Sequence, residues 1–210
     1  MPHQFKFIAE HLDHYNYLGH GRDGLDTDSE ATPIFYDFTK YELLTKDLFW
    51  LSSTPKKISK GWDAALNRIV VYAKFKSRKT NQIIHIINTH FDHIGKNARL
   101  NSAKLIVDFI RNKKLTNKKI ILMGDFNCLP FELPIKNLEQ EFENSYKSKN
   151  SLAYGPTGTF NGFNIIDIET KQIDYIFTKN LEVQSYRCID DRRTNNLYFS
   201  DHFPLLVEIQ

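Results

Sequence analysis

The chain contains the stretch Lys119-Ile120-Ile121-Leu122-Met123-Gly124-Asp125-Phe126-Asn127, in which a nearly continuous apolar run is followed by polar residues. Strands that are apolar at successive positions are typically buried on both faces of a sheet. Asp125 and Asn127 are two residues apart, so at a strand end their side chains point to the same side. There they can hold a water or a metal-bound oxygen between them. Gly, Asp and Asn are also ordinary turn residues, so the stretch alone fits either a site or a turn.

Three other apolar strands have ionisable residues at one end. They are Ile83 to Asn88, which His90 follows, Ile173 to Thr178, which contains Asp174, and Pro204 to Ile209, which Asp201 and His202 precede. Each signal alone also fits a capped or solvated strand end. Together, carboxylates and histidines at four strand ends are the residue types that metal-assisted cleavage of phosphate esters requires.

The rest of the pattern predicts more strands and a few amphipathic helices. A helix begins at Pro2, and Leu105, Ile106, Phe109 and Ile110 form the apolar face of a second one. Further strands are expected at Tyr15 to His20, Ile34 to Phe38, Tyr41 to Leu44 and Ile69 to Phe75, and a long polar surface loop at Glu139 to Asn164. This pattern predicts an α/β fold in which two sheets pack face to face with helices outside. We find no internal boundary and expect a single domain over residues 1–210.

Composition excludes several classes of protein. Hydrophobic residues make up 41% of the 210 residues and charged residues 25%, values typical of a globular chain and not of a disordered one. The net charge of +3 is too small to indicate a nucleic-acid coat. Cys128 and Cys188 are expected to be free thiols. No apolar run approaches the roughly 20 residues of a membrane span, and no secretory signal is visible, so we expect a cytoplasmic protein.

In this order the motifs resemble the endonuclease/exonuclease/phosphatase superfamily, the DNase I-like enzymes. The stretches that carry the resemblance are Asn88-Thr89-His90, Gly124-Asp125-Phe126-Asn127, Ile173-Asp174-Tyr175-Ile176 and Ser200-Asp201-His202-Phe203-Pro204. A bacterial and fungal branch of the superfamily is similar at Gly19-His20-Gly21-Arg22-Asp23-Gly24, Phe49-Trp50-Leu51-Ser52 and Gly61-Trp62-Asp63-Ala64-Ala65. The resemblance therefore covers nearly the whole chain and implies a four-layer α/β sandwich, with the site where the strand-end loops converge.

The resemblance also implies roles for individual residues. Asp125 and Asn127 would orient the attacking water and bind the phosphoryl group or a cation, and Asp201 would be a metal ligand together with Asp125. His202 would contact or protonate the phosphoryl group.

Two further histidine and carboxylate roles follow from the resemblance. His90 would be a second histidine on the phosphate side. Asp174 would hold one of these histidines in its working tautomer and raise its basicity.

Three residues have roles that the resemblance does not assign. Arg22 and Arg68 are our candidates for contact with the substrate phosphate, because Arg gives a bidentate grip. A salt bridge at the surface or at a strand edge is an equally good interpretation of both. Trp62 is expected to lie in the core and not on a substrate-binding surface.

The chain departs from the family pattern at its beginning. The family begins with a strand that carries an Asn, and its second strand ends in Gln-Glu, where the Glu is the principal metal ligand. No match to either motif precedes residue 20, so we expect an N-terminally truncated form of the sandwich in which Met1 is an internal methionine. An exposed strand edge would then favour self-association.

These expectations lead to two hypotheses about function. The first is a phosphoesterase that depends on Mg²⁺ or Mn²⁺ and hydrolyses a phosphodiester or phosphomonoester by in-line attack of an activated water. The second is a catalytically impaired family member that acts as a phosphate-ligand or protein-binding module. A phosphorylated small molecule or sugar phosphate is slightly favoured as the partner over nucleic acid, which usually binds a strongly basic stripe.

Overall fold

The computed structural model describes residues 1–25, 27–149, 152–165 and 171–210. The elements in chain order are α1 (Pro2–His11), β1 (Tyr15–Leu18), β2 (Ile34–Asp37), β3 (Tyr41–Trp50), β4 (Ile69–Ser77), β5 (Ile83–His90), α2 (Lys96–Asn112), β6 (Ile120–Asp125), α3 (Leu133–Glu139), β7 (Glu143–Asn144), a 3-10 turn (Ser145–Lys147), β8 (Leu152–Tyr154), β9 (Asp174–Lys179), β10 (Val183–Cys188) and β11 (Leu205–Ile209).

Six strands form the central sheet, in the order β3-β4-β5-β6-β9-β7. Strands β5 and β6 are parallel and the other neighbours are antiparallel, so the sheet is mixed. Helices α2 and α3 cover one face, where Ile106 and Ile135 pack against Ile87, Leu122 and Phe177 of the strands. All five side chains are fully buried, so this face forms the main core.

Two smaller sheets belong to the layer on the opposite face. One is the antiparallel pair β1-β2, and the other has the order β11-β10-β8. Helix α1 lies outside the first, where Phe5 contacts the ring of Tyr17. Between the two small sheets a groove of about 430 Å³ is lined by β2, by Ile209 of β11 and by Ile86, Ile121 and Met123 of the central sheet. The second layer is therefore divided, while the central sheet is continuous.

The predicted α/β sandwich with mixed sheets inside and helices outside is confirmed. The helix at Pro2, the helix around Leu105 to Ile110 and the apolar strands are present. Within the described ranges, no helix has the length and apolar character needed to cross a bilayer. Phe49 and Trp50 are buried, and both cysteines are buried free thiols.

Several boundaries and elements differ from the predictions. Strand β3 continues to Trp50 instead of ending at Leu44, because its polar residues are exposed along the edge of the sheet. The segment predicted as one loop over Glu139 to Asn164 contains β7, the 3-10 turn and β8 in its described part. Helix α3 and strand β10 were missed, since α3 has only seven residues and half of β10 is polar.

Candidate active site

The site is built on one row of residues that crosses three neighbouring strands. His90 at the end of β5 pairs with Asp125 at the end of β6, and Asp125 pairs with Asp174 at the start of β9. Residues that are partners across strands project from the same face of a sheet. All three side chains therefore lie on the face that looks toward the second layer, at one end of the space between the sheets.

Backbone geometry at the end of β6 explains the Gly-Asp-Phe-Asn stretch. Gly124 has φ of 143°, and a Cβ atom there would lie 1.9 Å from the carbonyl oxygen of Thr89, so only glycine lets β6 approach β5 this closely. Asn127 has φ of 47°, a left-handed conformation that Asn tolerates better than most residues. Phe126 is fully buried between these two polar positions. The stretch is thus both a turn and a site.

His202 completes the cluster from the segment before β11. Its Nδ1 lies 2.8 Å from Asp174 Oδ2, and the same oxygen accepts a 2.6 Å hydrogen bond from the hydroxyl of Thr159. Burial opposes the charged form of His202, but the hydrogen bond and the charge of Asp174, with the charges of Asp125 and Asp201, outweigh it and raise the pKa of His202 above its ordinary value. Asp174 therefore fixes the ring and favours its protonated form.

Asp125, Asn127 and His90 form the other half of the cluster. The backbone N–H of Asn127 donates to Asp125 Oδ1 over 2.8 Å, and the Asn127 amide donates to the carbonyl of Phe91 over 3.0 Å. His90 Nε2 lies 3.2 Å from Asp125 Oδ2 and 3.1 Å from the Asn127 amide nitrogen. The structure thus brings together five of the expected residues, His90, Asp125, Asn127, Asp174 and His202.

The sequence profile described as the Endonuclease/Exonuclease/phosphatase family matches residues 8–202. The chain belongs to the endonuclease/exonuclease/phosphatase family. Enzymes of this family are phosphoesterases, and they generally depend on a divalent metal. The resemblance that the four motifs carry is therefore confirmed at the level of the family.

Solved structures and curated relatives place the chain within this family. It superimposes on the mannosyl-6-phosphatase of Bacteroides thetaiotaomicron with a TM-score of 0.92 and 35% identity, over 100% of this chain and 82% of that one. It also superimposes on a functionally unknown conserved protein of Enterococcus faecalis with a TM-score of 0.91 and 31% identity, over 100% of this chain and 81% of that one. Sphingomyelinase C of Bacillus cereus is 30% identical over 135 residues, which are 55% of this chain and 40% of the relative.

The carboxylates of this family member suit a hard cation. Among the residues that the structure describes, one group of three can offer ligand atoms within 4.8 Å of one another, namely Asp125, Asp174 and His202. Two carboxylates among the donors match the oxygen preference of Mg²⁺. Asp201 is next to His202 in the chain but outside this group. Its carboxylate accepts a 3.3 Å hydrogen bond from the Ser200 hydroxyl.

An ion-pair network of Arg22, Glu30, Arg68 and Asp92 adjoins the cluster beside His90. Glu30 Oε2 accepts hydrogen bonds from Arg22 and, over 3.4 Å, from Arg68, while Glu30 Oε1 lies 3.5 Å from His90 Nδ1. Arg68 Nε donates to the buried Asp92 over 3.4 Å. Burial lowers the pKa of Arg68, and the neighbouring Glu30 and Asp92 act against this. Arg22 and Arg68 thus flank the site, and both hold Glu30.

Arg68 and Arg22 differ in how firmly they are held. Arg68 is buried, and each of its three nitrogens faces a partner, Asp92, Glu30 or His93. Burial alone would raise the pKa of Asp92, but backbone N–H donors, among them those of Gly95 and Ile94, lower it well below the ordinary value. The guanidinium of Arg22 contacts Glu30, which also binds Arg68, and its buried Nε has no hydrogen-bond partner among the described residues. Arg22 is therefore the more available of the two for an anion.

Reasoning from the sequence missed Thr159 and Glu30. Thr159 lies in the segment that was predicted as a loop, and no local pattern distinguishes it from other loop residues. Glu30 lies in the segment before β2, which begins only at Ile34, so no strand-end signal marked it. Trp62 was expected in the core, but it is 42% exposed on the loop between β3 and β4. Its φ is 48°, a left-handed backbone conformation.

Proposed function

We propose that this chain is a divalent-metal-dependent phosphoesterase that hydrolyses a phosphate ester of a sugar or another small molecule by in-line attack of water. The observation that supports it most is the cross-strand row His90–Asp125–Asp174. His202 joins this row through its hydrogen bond to Asp174. Two carboxylates and two histidines in one cluster supply a water-orienting group and a proton donor within one site.

The side chains divide the reaction between them. The carboxylate of Asp125, held by the Asn127 N–H, accepts a hydrogen bond from the attacking water and orients it toward phosphorus. The N–H at Nδ1 of His202 donates to Asp174. The protonated Nε2 of the same ring can therefore donate to a phosphoryl oxygen as negative charge develops there. The Asn127 amide and His90, which lie beside Asp125, contact the other phosphoryl oxygens.

Asp125, which belongs to the group able to share a cation, would be a ligand of a Mg²⁺ or Mn²⁺ ion. Asp201 lies outside that group and would be a further carboxylate ligand only if its segment moved toward Asp125. When bound, such an ion neutralises charge on the phosphoryl oxygens and lowers the pKa of a coordinated water. Asp174 is already bonded to His202 and Thr159, so it acts on the histidine.

The ion-pair network beside His90 has no net positive charge, so it is not the strongly basic stripe that a long polyanion such as nucleic acid would need. The Nε of Arg22 is buried and has no hydrogen-bond partner among the described residues. A guanidinium can bind two terminal oxygens of a phosphate, and Arg22 would present its remaining donors to one. The Bacteroides relative is named as a mannosyl-6-phosphatase, which supports a sugar phosphate as the substrate of this chain. Arg68 would contribute through Glu30, because its own nitrogens already face Asp92, Glu30 and His93.

Two readouts decide the proposal: release of phosphate from mannose 6-phosphate and release of p-nitrophenol from bis-p-nitrophenyl phosphate. Mannose 6-phosphate and bis-p-nitrophenyl phosphate would be offered in parallel with Mg²⁺, with Mn²⁺ and with a chelator. We expect metal-dependent turnover of the sugar phosphate that the chelator abolishes. Turnover that persists in the chelator would contradict the metal dependence, and turnover of the diester alone would contradict the sugar phosphate.

The second candidate is the catalytically impaired member that binds a phosphate ligand or a protein. The observation that favours it is the small number of carboxylates left for a cation, since Asp174 is engaged by His202 and Thr159. Calorimetric titration of mannose 6-phosphate and of inorganic phosphate distinguishes the two. Binding that Arg22→Ala weakens, without turnover under any metal condition, would support the binding module.

A further inference from the structure

A strained turn presents an exposed aromatic ring next to the candidate active site. The N–H of Asn164 donates to the carbonyl of Asn161 over 3.0 Å, and the two central residues, Gly162 and Phe163, have φ of 59° and 60°. Positive φ at both central positions defines a type I′ turn, which normally uses Gly, Asn or Asp. A phenylalanine is unfavourable in this left-handed conformation. Phe163 is nevertheless there, and it is 60% exposed.

The turn is attached to the segment that carries His202. The backbone N–H groups of Asn161 and Gly162 both donate to the carbonyl of Asp201, over 2.8 and 3.1 Å. The buried Asn161 side chain donates to the carbonyl of Ser200 over 3.1 Å and accepts from the Phe163 N–H over 2.8 Å. These bonds hold the turn in its strained form.

Phe160 connects the turn to the histidine ring. Its ring lies edge to face against His202, with 5.0 Å between centroids. A Cβ atom on Gly162 would lie 3.3 Å from the same Phe160 ring, so the turn sits directly over it. Phe163 therefore follows a residue that packs on Phe160, whose own ring contacts His202, and its backbone is held by the hydrogen bonds of the turn.

We propose that Phe163 determines specificity by forming the apolar wall of a sugar subsite beside His202, where its ring packs on the nonpolar C–H face of the pyranose whose phosphate enters the cluster. The inference rests on the proposed function for the phosphate. Backbone strain with an exposed aromatic ring is typical of residues retained for a ligand and not for stability. Aromatic side chains supply large apolar contact area with few rotatable bonds.

Phe163→Gly separates a ligand role from a structural one. Glycine adopts positive φ at no steric cost, so this variant should fold with a thermal midpoint equal to or above that of the wild type. We expect kcat/KM for mannose 6-phosphate to fall by roughly 5- to 20-fold, mainly through KM, because the apolar contact with the sugar is lost. Activity on n-propyl phosphate, which has no sugar ring, should be unchanged, and Phe163→Tyr should keep the wild-type ratio of the two substrates.

Phe7→Ala is the matched control, because Phe7 is 61% exposed on α1 and takes no part in the site. This variant should have the wild-type kcat/KM for both mannose 6-phosphate and n-propyl phosphate. If Phe163→Gly changes kcat/KM for mannose 6-phosphate by less than about twofold, or lowers it equally for n-propyl phosphate, the sugar subsite is wrong.

A binding measurement keeps this inference separate from the proposed function. Saturation-transfer NMR with methyl α-mannoside reports contact between the sugar and the protein without any phosphate chemistry. We expect transfer to the pyranose C–H protons in the wild type and its loss in Phe163→Gly. If neither phosphate ester is hydrolysed, the proposed function fails while this signal still decides the subsite; equal transfer in both proteins overturns the subsite.

Discussion

The two ends of the three central strands carry histidines in opposite settings. At one end, the row His90–Asp125–Asp174 faces His202. At the other end, the corresponding row is His85–Ile120–Lys179. His85 and His90 are five residues apart on the same strand, so their side chains project from opposite faces of the sheet. His90 lies beside Asp125, whereas the cross-strand neighbour of His85 is Ile120.

The surroundings of His85 show what a structural histidine looks like in this sheet. It is 3% exposed, and its Nδ1 lies 2.8 Å from the hydroxyl of Tyr72. Burial, with the charges of Lys74 and Lys118, lowers the pKa of His85 to about 4. The pKa of His202 is shifted the other way, because Asp174 bonds its ring. Burial and neighbouring charges, and not the residue type, set the opposite pKa shifts of the two histidines, and they distinguish the proposed reactive end, at His202, from the structural end, at His85.

The largest effect is expected where a carboxylate orients a histidine. Asp174→Asn replaces the carboxylate that accepts from Nδ1 of His202 with an uncharged amide, which can also present a donor. The ring is then no longer fixed in one tautomer, and its protonated form is no longer favoured. We predict a fall in kcat of about 10²- to 10⁴-fold with a much smaller change in KM. Steady-state kinetics on mannose 6-phosphate measures both. A change confined to KM would show that Asp174 only shapes the binding site.

The next effect concerns metal affinity at the same end. Asp125→Asn keeps the shape of the side chain but removes its charge, so the affinity for Mn²⁺ should fall by about 10- to 100-fold. Calorimetric titration of the metal, without substrate, measures it. Glu143→Gln, at an exposed position on the edge strand β7, is the control and should bind as the wild type does. Equal affinity in the Asp125 variant would remove Asp125 from the ligand set.

At the opposite end of the strands, His85 is expected to make the stability of the protein depend on pH. The folded-state pKa of His85, about 4, is below its ordinary value of 6.5, so the unfolded chain binds the extra proton first as pH falls. His85 therefore contributes stability above pH 6.5 that is lost between pH 6.5 and 4. From pH 7.5 to 5, the wild type should lose about 2 kcal/mol more unfolding free energy than His85→Gln. Urea denaturation at the two pH values measures the difference, and parallel losses would show that His85 is not buried in its neutral form.

The smallest effect is expected on the rim of the reactive end. Arg22→Ala should raise KM for mannose 6-phosphate by about 10-fold and leave kcat nearly unchanged, because Arg22 would grip the phosphate without taking part in proton transfer. Arg22→Lys should recover only part of the loss, since an ammonium cannot make the bidentate contact. A loss that appears in kcat instead would place Arg22 in the chemical step.

Much of the reactive end could be predicted from the sequence because its residues follow apolar strands. Hydrophobic runs locate β5, β6 and β9 and show that His90, Asp125 and Asp174 lie at strand ends. That these ends meet in one site was implied by the family resemblance, because a sequence does not show that the start of antiparallel β9 lies beside the end of β6. Phe160 and Thr159 could not be placed, because their contacts with His202 and Asp174 depend on how a polar segment folds over the strand ends.

The structural end was less predictable for a related reason. His85 lies inside an apolar strand, and a sequence does not show that its partner is a Tyr72 hydroxyl on the neighbouring strand. Trp62 is an error of the opposite kind: its aromatic side chain suggested the core, but it is exposed in a loop, at a position with positive φ. Backbone conformation in loops has no periodic signal from which it could have been derived.

The most direct test of the account compares His202→Gln with His85→Gln in one assay of phosphate release from mannose 6-phosphate with Mg²⁺ near pH 7.5. Both substitutions exchange a histidine for the same residue, one at each end of the sheet. The account predicts that His202→Gln loses about 10²-fold or more in kcat, while His85→Gln keeps the wild-type value. Equal kcat values in the two variants would contradict the assignment of the chemistry to the His90–Asp125–Asp174 end.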